Sequence, residues 1–341
     1  MRSPRPRARF LIPRNGESYT CSLPSPGTEG DQVPVSPLPN DPLWPRASAW
    51  IQPIDDGEAA VADLAIIGVP ACETSITPTH ADTTPNAVRE ALARYSTYAT
   101  GRDIDVAALN AVDLGDVADP DGPAGEARVA AAVTGGLDSF GLLIALGGDN
   151  SATFSVVSGL FAGALDRCGL ITVDAHHDLR DGTSNGSPVR RLIEAGLHGD
   201  HIVQIGIADF SNSAAYSLRA REHGITVVPR AALRGADLSE VAAEALAIAG
   251  RGGGPVFVDI DVDVCDRSAV PGCPAAAPGG ISADELRQLA FDFASDPRVR
   301  GIDITEIDAS IDSNDGRTVR LAALLVLEAA AGLASRPGAW S

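Results

Sequence analysis

The chain has 341 residues, of which 45% are hydrophobic and 21% are charged. These fractions are ordinary for a globular protein, so we expect a full hydrophobic core in one large domain or two smaller ones. The formal net charge of -19 repels phosphate backbones and anionic lipid, so we expect neither nucleic acid nor a membrane as a partner. Every basic residue is an arginine. The absence of lysine excludes Schiff-base and P-loop chemistry, because both need a lysine amine.

The cysteines are scattered over the chain and form neither a CxxC pair nor a regular framework. This usage is typical of a reduced, cytosolic protein. No apolar stretch approaches the roughly 18 residues of a membrane span, and the first residues do not resemble a secretory signal. We therefore expect a cytoplasmic protein.

Proline is concentrated at the start of the chain, where 11 of the 24 prolines fall within the first 53 residues. This stretch has almost no hydrophobic periodicity, which predicts a Pro-rich arm over residues 1–60 that is partly disordered or wraps around the protein. No later linker or internal repeat interrupts the sequence. Residues 61–341 are therefore predicted to form a single α/β domain.

From residue 63 onward, short β-type apolar runs alternate with Ala-rich stretches of helical periodicity. This alternation predicts strand-helix-strand units and a parallel sheet. Ser282 followed by Glu285 has the spacing of a capping box. The predicted strands are Leu64–Val69, Leu142–Leu146, Leu170–Val173, Ile202–Ile207, Thr226–Val228, Val256–Ile260 and Gly301–Ile304. The predicted helices include Pro85–Tyr95, Ala152–Leu165, Ala214–His223, Leu238–Ala249, Ala283–Ala294 and Thr318–Ala334.

Polar residues follow four of these strands at positions where sheet packing does not need them. Because ligands bind at the carboxyl ends of the strands in open α/β sheets, we expect these residues to converge in one crevice. They are Asn150 after the second strand, Asp174, His176 and Asp178 after the third, Asp259, Asp261 and Asp263 at the sixth, and Glu306 after the seventh.

The two acidic clusters predict a metal site. Alternate residues of an extended segment share a face, so Asp174, His176 and Asp178 point one way while His177 points the other. Crowded, buried carboxylates repel one another unless cations lie among them. A single DxD is more often a turn or a helix cap, but here DxHxD and DxDxxD both follow β-type runs. Carboxylates with an imidazole favour a hard ion such as Mn²⁺, and their number indicates two ions that share carboxylates and activate water at neutral pH.

Several further segments are each too short to identify a family, but their occurrence in one order is specific. They are IIGVP, PNAVREAL, GGDNS, DAHHD, DIDVDVCD, PGG and the ITEI segment at Glu306. In this order they resemble the ureohydrolase superfamily, which includes arginase, agmatinase and formimidoylglutamase, from about Asp63 to the C-terminus. The resemblance implies a three-layer α/β/α arginase-like fold with a central parallel sheet. It also implies two Mn²⁺ ions per chain and assembly into a homo-oligomer, a trimer or a hexamer.

The resemblance also implies the metal ligands. In the second cluster it leaves a choice between Asp259 with Asp261 and Asp261 with Asp263. The family spacing to the later PGG segment favours Asp261 and Asp263, which leaves Asp259 beside the site. From the first cluster, the implied ligands are Asp174, His176 and Asp178.

Two departures from the family pattern bear on activity. Asn150 stands where the family has a histidine ligand, and a neutral amide is a weaker donor than imidazole, so one of the two ions is expected to be weakly held. Asn185 stands where arginases and agmatinases carry a histidine that shuttles protons. Formimidoylglutamases also lack that histidine.

Local segments resemble formimidoylglutamases in particular: DLR at 178–180, GSPVR at 186–190 and GIADFSNS at 206–213. Arg180 or Arg190 is a candidate to pair with a substrate carboxylate. The alternative is that both arginines are ordinary surface residues. Asn185 and Asn212 complete the predicted substrate-binding set.

The resemblance implies a metal-dependent hydrolase of an amidine-type C–N bond, with N-formimidoyl-L-glutamate as the leading substrate and L-glutamate and formamide as products. Asp178 would accept a proton and orient the nucleophile, and Glu306 would pair with the cationic amidine. Two alternatives stay open. One is a guanidino hydrolase of the agmatinase or guanidinobutyrase type, which releases urea. The other, prompted by Asn150, is a metal-poor, non-catalytic homologue.

Overall fold

The structure is a computed structural model and describes residues 41–54 and 61–337. Within these residues, nine parallel strands form a central sheet, and β3 (Tyr98–Ala99) pairs with β4 (Ile104–Asp105) as a separate antiparallel pair. The nine strands are β1 (Gln52–Pro53), β2 (Ala62–Val69), β5 (Ala111–Asp116), β6 (Phe140–Gly147), β7 (Gly169–Val173), β8 (Ile202–Ile207), β9 (Thr226–Pro229), β10 (Val256–Asp261) and β11 (Val299–Thr305). Their order across the sheet is β1-β5-β2-β6-β11-β10-β7-β8-β9.

Helices cover both faces of this sheet. One face packs against α1 (Thr84–Leu92), α7 (Leu238–Ala249), α8 (Ala283–Ala294) and α9 (Arg317–Ala334). The other packs against α2 (Gly122–Val133), α4 (Ala152–Leu160), α5 (Pro188–Glu194) and α6 (Ala214–Glu222), while the short α3 (Gly136–Ser139) leads into β6.

Alternate residues of the strands enter opposite cores. In β2, Leu64 and Ile66 join the core on the α9 side, whereas Ala65 and Ile67 join the core on the α4 side. This is the period-two alternation of a strand that is buried on both faces. The predicted three-layer α/β/α fold with a central parallel sheet is confirmed.

Most predicted elements are present close to their predicted bounds. All seven predicted strands form, and the helices predicted at 238–249 and 283–294 have the predicted bounds. The capping box of α8 is also present, because Ser282 Oγ accepts from the Glu285 N–H at 3.1 Å and Glu285 Oε2 accepts from the Ser282 N–H at 2.6 Å. The helix predicted to end at Leu165 ends at Leu160 instead, before Gly163 adopts a left-handed φ of 76°.

Some elements gave no usable signal in the sequence. Strand β5 reads AVDLGD, and only its first two residues are buried, so it lacks an apolar run. Strand β1 has two residues, one of them Pro53, at the edge of the sheet. Both strands form because their backbones pair with neighbours that the sequence does not reveal.

Residues 1–40 and 55–60 of the predicted arm lie outside the described residues. Residues 43–54 belong to the α/β domain, since Ala47 is buried, Trp50 Nε1 donates to the Leu109 carbonyl at 3.0 Å, and β1 pairs with β5. The domain therefore begins before the predicted boundary at residue 61. None of the helices in the described ranges has the length and apolar character needed to cross a bilayer.

Candidate functional site

Four consecutive strands of the sheet, β6, β11, β10 and β7, bring the predicted polar residues to one edge. Parallel strands end at the same edge, so the residues that follow them meet there. Asp261 is the last residue of β10, and Asp174 follows β7 directly. Asn150 and Glu306 come just after β6 and β11, and the Glu306 N–H donates to the Gly148 carbonyl at 2.9 Å, which ties these two loops together.

Asp174, His176 and Asp263 form the core of a potential metal site, because one ligand atom from each lies within 4.8 Å of the others. His176 Nδ1 is 2.7 Å from Asp263 Oδ2 and 3.5 Å from Asp174 Oδ1. The adjacent His177 faces away from this cluster, as predicted, and its Nδ1 lies 2.6 Å from Gln204 Oε1.

One buried oxygen of this cluster, Asp174 Oδ2, has no hydrogen-bond partner among the described residues, and the ion-pair partner of Asp263 Oδ2 is His176, at 2.7 Å. Buried carboxylates with only a structural role are normally hydrogen-bonded. An unpaired carboxylate oxygen beside a second carboxylate and an imidazole instead provides the donors that a divalent cation with oxygen and nitrogen ligands requires. The residues present therefore fit a metal ion.

The charges of the cluster conflict with one another when no cation is present. Burial and Asp263 raise the pKa of Asp174 to about 7, and burial followed by Asp174 raises the pKa of Asp178. Burial and Asp263 likewise raise the pKa of Asp261. Burial also acts to raise the pKa of Asp263, but His176 outweighs it, so that pKa falls below its usual value. Divalent cations placed among these groups would favour all their ionised forms.

Glu306 presents a buried carboxylate, 6% exposed, beside the cluster. Its Oε1 accepts from the Asn150 backbone N–H at 2.9 Å and from Asn185 Nδ2 at 2.7 Å. Burial and the charge of Asp149 nevertheless raise the pKa of Glu306 to about 8. A cationic ligand would therefore be stabilised at this carboxylate.

Two of the site acids adopt left-handed backbone conformations that non-glycine residues rarely occupy. The φ angle is 52° at Asp178 and 62° at Glu306. Such conformations cost about 1 to 3 kcal/mol each and persist where the surroundings impose them. Here they direct both carboxyl groups into the same cavity.

Asn150 lies beneath the cluster with 1% of its surface exposed. Its Nδ2 donates to Asp178 Oδ2 at 2.5 Å, and its Oδ1 lies 2.8 Å from Thr153 Oγ1 and 3.0 Å from Thr305 Oγ1. In this orientation the NH₂ end of the amide faces Asp178. Asn150 could coordinate a metal ion only if the oxygen end of its amide faced Asp178 and the other metal ligands.

A cavity of about 390 Å³ opens over the cluster and collects most of the predicted site residues. Asn150, Asp174 and Arg190 do not line it. The predicted residues that line it are His176, Asp178, Arg180, Asn185, Asn212, Asp261, Asp263 and Glu306.

Arg180 is the only arginine among the described residues that line this cavity. Its side chain crosses Gly186 so closely that a Cβ at Gly186 would lie 2.7 Å from Arg180 Cδ. Gly186 therefore leaves the space in which the Arg180 side chain lies.

Two further predicted substrate-binding residues, Arg190 and Asn212, hydrogen-bond to backbone groups. Arg190 Nε donates to the Arg180 carbonyl at 2.6 Å, and another guanidinium nitrogen donates to the Gly182 carbonyl, so Arg190 holds the loop that carries Arg180. Asn212 lines the cavity, but its Oδ1 accepts from the His177 N–H at 3.0 Å and its Nδ2 donates to the Ala175 carbonyl at 2.9 Å. Asn212 therefore supports the DAHHD segment.

Several lining residues carried no motif that would have identified them. Tyr216 lies in the first turn of α6, whose N-terminus is capped by Ser213 through a 3.2 Å bond to the Tyr216 N–H. Ile76 and Pro274 come from loops distant in sequence. Only the GIADFSNS segment, through its resemblance to formimidoylglutamases, pointed towards this wall.

A second layer of polar residues lies one pleat below the cluster. Asp259 on β10 is the sheet partner of both Asp303 on β11 and Thr172 on β7, and all three are fully buried. Both carboxyl oxygens of Asp259, Asp303 Oδ1 and Thr172 Oγ1 have no hydrogen-bond partner among the described residues. Asp259 does not line the cavity, whereas Asp261 and Asp263 do.

Comparison with known proteins places this geometry in a family. A sequence model of the Arginase family matches residues 62–332 of this chain. A formimidoylglutamase from Halalkalibacterium halodurans is 38% identical over 271 residues, which are 77% of this chain and 84% of that protein. The crystal structure of formimidoylglutamase from Bacillus subtilis is similar with a TM-score of 0.82 and 32% identity, and the match covers 89% of this chain and 96% of that one.

A crystal structure of Trypanosoma cruzi formiminoglutamase with Mn²⁺ is similar with a TM-score of 0.77 and 25% identity, over 86% of this chain and 100% of that one. The resemblance drawn from the sequence motifs is therefore confirmed, and the chain belongs to the arginase family.

Proposed function

We propose that this protein is a metal-dependent hydrolase that cleaves N-formimidoyl-L-glutamate into L-glutamate and formamide. One observation carries the proposal: a buried carboxylate, Glu306, and a lone arginine, Arg180, line the same cavity beside a donor set that fits a metal ion. The substrate carries a cationic amidine and two carboxylates, so its charges complement these groups. The names of the relatives, formimidoylglutamases at 38% and 32% identity, support the same reading.

The proposed cofactor is Mn²⁺, with two ions per chain. When bound, such ions supply Lewis acidity and bring the pKa of water towards neutrality. The proposed ligands are Asp174, His176, Asp178, Asp261 and Asp263, with Asn150 as an additional, weaker ligand.

Glu306 binds the amidine end of the substrate in this proposal. Its Oε1 is already held by Asn150 and Asn185, which leaves Oε2 to accept an N–H of the amidinium. The substrate cation favours the ionised form of Glu306, which burial and Asp149 otherwise disfavour.

Asp178 handles the proton. Its raised pKa and its position in the cavity wall suit a carboxylate that accepts a proton from the attacking water and returns it to the departing nitrogen. Water adds to the amidine carbon, and the bond from that carbon to the glutamate nitrogen breaks. The carbon and the remaining nitrogen leave as formamide.

Arg180 holds a substrate carboxylate. Its guanidinium has neither an ion pair nor a hydrogen bond with another described residue, so it remains available to a ligand. Arginine recognises a carboxylate through two parallel N–H donors, which would also fix the direction of the substrate in the cavity.

Asn185 favours this substrate over a guanidino compound. An amide does not titrate, so Asn185 does not relay protons as the arginase histidine does. Its hydrogen bond to Glu306 gives it a different task, which is to hold the amidine-binding carboxylate. By the same family resemblance, the protein is proposed to act in the cytoplasm as a homo-oligomer, a trimer or a hexamer.

The test is an assay of the purified, Mn²⁺-loaded protein with N-formimidoyl-L-glutamate, agmatine and 4-guanidinobutyrate, in which formamide, urea and ammonia are measured separately. We expect formamide and glutamate in equal amounts from the first substrate. Glu306→Gln, which keeps the shape and removes the charge, should abolish this turnover. Urea release from a guanidino compound without formamide production would overturn the substrate assignment.

A further inference from the structure

The hydroxyl of Thr153 contacts two groups that cannot both accept its single proton. Thr153 Oγ1 lies 2.8 Å from Asn150 Oδ1 and 2.8 Å from Asp303 Oδ2, and all three residues are buried. A hydroxyl donates one hydrogen bond and accepts others. If Thr153 donates to one of these neighbours, the other must donate to Thr153.

Because the Thr153 hydroxyl has only one proton to donate, the Asn150 amide can adopt two arrangements. If Asp303 is ionised, Thr153 donates to it and must accept from Asn150, so the NH₂ end of the amide faces Thr153 and the oxygen end faces Asp178. If Asp303 is neutral and donates, Thr153 donates to Asn150 Oδ1, and the NH₂ end faces Asp178. The two ends of an amide have nearly the same size, so hydrogen bonding alone decides between them.

Thr305 is compatible with either arrangement. Its Oγ1 lies 3.0 Å from the same atom of Asn150 and 3.5 Å from the Ile260 carbonyl. It can therefore donate to the amide oxygen, or accept from the amide NH₂ while donating to the carbonyl. The orientation of the Asn150 amide is therefore determined by Thr153 and Asp303.

A metal ion distinguishes the two arrangements. The atom of Asn150 that faces Asp178 lies 2.5 Å from Asp178 Oδ2. An amide NH₂ in this place makes a good hydrogen bond, whereas an amide oxygen would be repelled by the carboxylate unless a cation accompanies them. The oxygen end is also the only end of the amide that coordinates a hard ion.

We propose that Thr153 is a positioning residue which, backed by Asp303, turns the amide oxygen of Asn150 towards the metal ligands when metal binds. The inference rests on the proposed metal-dependent function. In other metal sites, a carboxylate that accepts from the second ring nitrogen of a histidine ligand fixes the orientation of that ligand. The Asp303–Thr153 pair would fix the orientation of the Asn150 amide in the same way.

The test is Mn²⁺ binding, measured as ions per chain and as affinity by titration calorimetry. Thr153→Val removes the hydroxyl with little change of shape, and Asp303→Asn can donate to Thr153 and so favours the NH₂ end of Asn150 towards Asp178. Both should weaken the more weakly held ion by about tenfold or lower the ions per chain, because partners of metal ligands typically contribute 10- to 100-fold in affinity. Thr153→Ser keeps the hydroxyl and should bind like wild type.

Two controls separate positioning from general damage. Ser155→Ala removes another buried hydroxyl of α4, which donates to the Ala152 carbonyl and not to Asn150 or Asp303, and it should leave Mn²⁺ affinity within about twofold of wild type. In an Asn150→Ala background, Thr153→Val should have no further effect, because the residue it positions is absent.

The outcomes distinguish this inference from the function on which it rests. A wild-type protein that binds no Mn²⁺ would overturn the proposed function. A wild-type protein that binds Mn²⁺, with Thr153→Val and Asp303→Asn variants that bind equally well, would overturn only the positioning role. So would an equal loss in Ser155→Ala, or an effect of Thr153→Val that persists without Asn150. Should Thr153→Val fail to fold, Asp303→Asn and Thr153→Ser decide the question.

Discussion

Asn185 donates a 2.7 Å hydrogen bond from Nδ2 to Oε1 of Glu306, across 121 residues of sequence. The same side chain accepts from the Ile76 N–H at 3.1 Å, so it links a cavity loop to the Glu306 carboxylate. Asn185, which the family resemblance aligns with the proton-shuttle histidine of arginases and agmatinases, thus holds another side chain here.

Asn185→Ala should therefore lower kcat/KM for N-formimidoyl-L-glutamate by about ten- to a hundredfold. The variant leaves Glu306 with one of its two donors, and a hydrogen bond to a charged group contributes about 1.5 to 3 kcal/mol. Steady-state kinetics measure the loss. Asn86→Ala, an exposed asparagine of α1, is the matched control and should be unaffected. Kinetics of Asn185→Ala equal to those of the control would refute the role.

Arg180→Gln should raise KM for the substrate by about tenfold with a smaller change in kcat, because it removes a charge-assisted pair that forms in substrate and transition state alike. Arg190→Gln is the informative comparison. Arg190 donates to the backbone carbonyls of residues 180 and 182 and does not line the cavity. Its substitution should therefore lower the thermal midpoint of the protein in addition to any effect on KM. A KM that rises only in the Arg190 variant would contradict the assignment of Arg180.

Gly186→Ala should mimic part of the Arg180 substitution without removing the charge. The added Cβ would lie 2.7 Å from Arg180 Cδ, so the arginine side chain must move. We expect KM to rise by about three- to tenfold, with the guanidinium displaced in a crystal structure of the variant. An unmoved Arg180 and an unchanged KM would show that the contact does not constrain the side chain.

Asn150→His should raise the number of Mn²⁺ ions retained per chain after dialysis, because imidazole is a stronger donor than a neutral amide. Elemental analysis gives the stoichiometry. Asn110→His adds a histidine at an exposed asparagine and controls for adventitious binding. Equal metal content in wild type and Asn150→His would mean that position 150 does not limit occupancy.

Chelation should lower the thermal midpoint by several degrees, and added Mn²⁺ should restore it. The buried carboxylates around Asp174 repel one another without a cation, and a ligand present at about 100 times its Kd stabilises a protein by about 2.7 kcal/mol. Differential scanning calorimetry at fixed pH measures the shift. A thermal midpoint that changes with neither chelator nor added Mn²⁺ would argue against a metal site among these residues.

The architecture was predictable because its signals are local and repeated. Strands β6, β7, β8 and β10 are mainly apolar, with few polar interruptions such as Gln204 and Asp259, as expected for strands buried on both faces, and the helices between them keep a clear period. The carboxyl-edge rule then placed Asp174, His176 and Glu306 at one edge of the sheet without any knowledge of tertiary structure. By contrast, β5 and β1 depend on pairing partners and carry little signal of their own.

Within the site, residue type was easier to predict than side-chain direction. Arg180 and Arg190 lie ten residues apart, and both suited a carboxylate ligand, yet only Arg180 lines the cavity. Asn212 lines it but makes its hydrogen bonds to the backbone of Ala175 and His177. These outcomes depend on which carbonyls lie within reach after folding, and no pattern in the sequence encodes that.

The left-handed backbones of Asp178 and Glu306 set a limit on how this enzyme can be stabilised. A search for more heat-resistant variants would favour glycine or asparagine at both positions, since either relieves φ values of 52° and 62°. Each such gain would remove a carboxylate from the cavity. Thermostability screens that do not also score turnover should therefore recover inactive proteins at these two positions first.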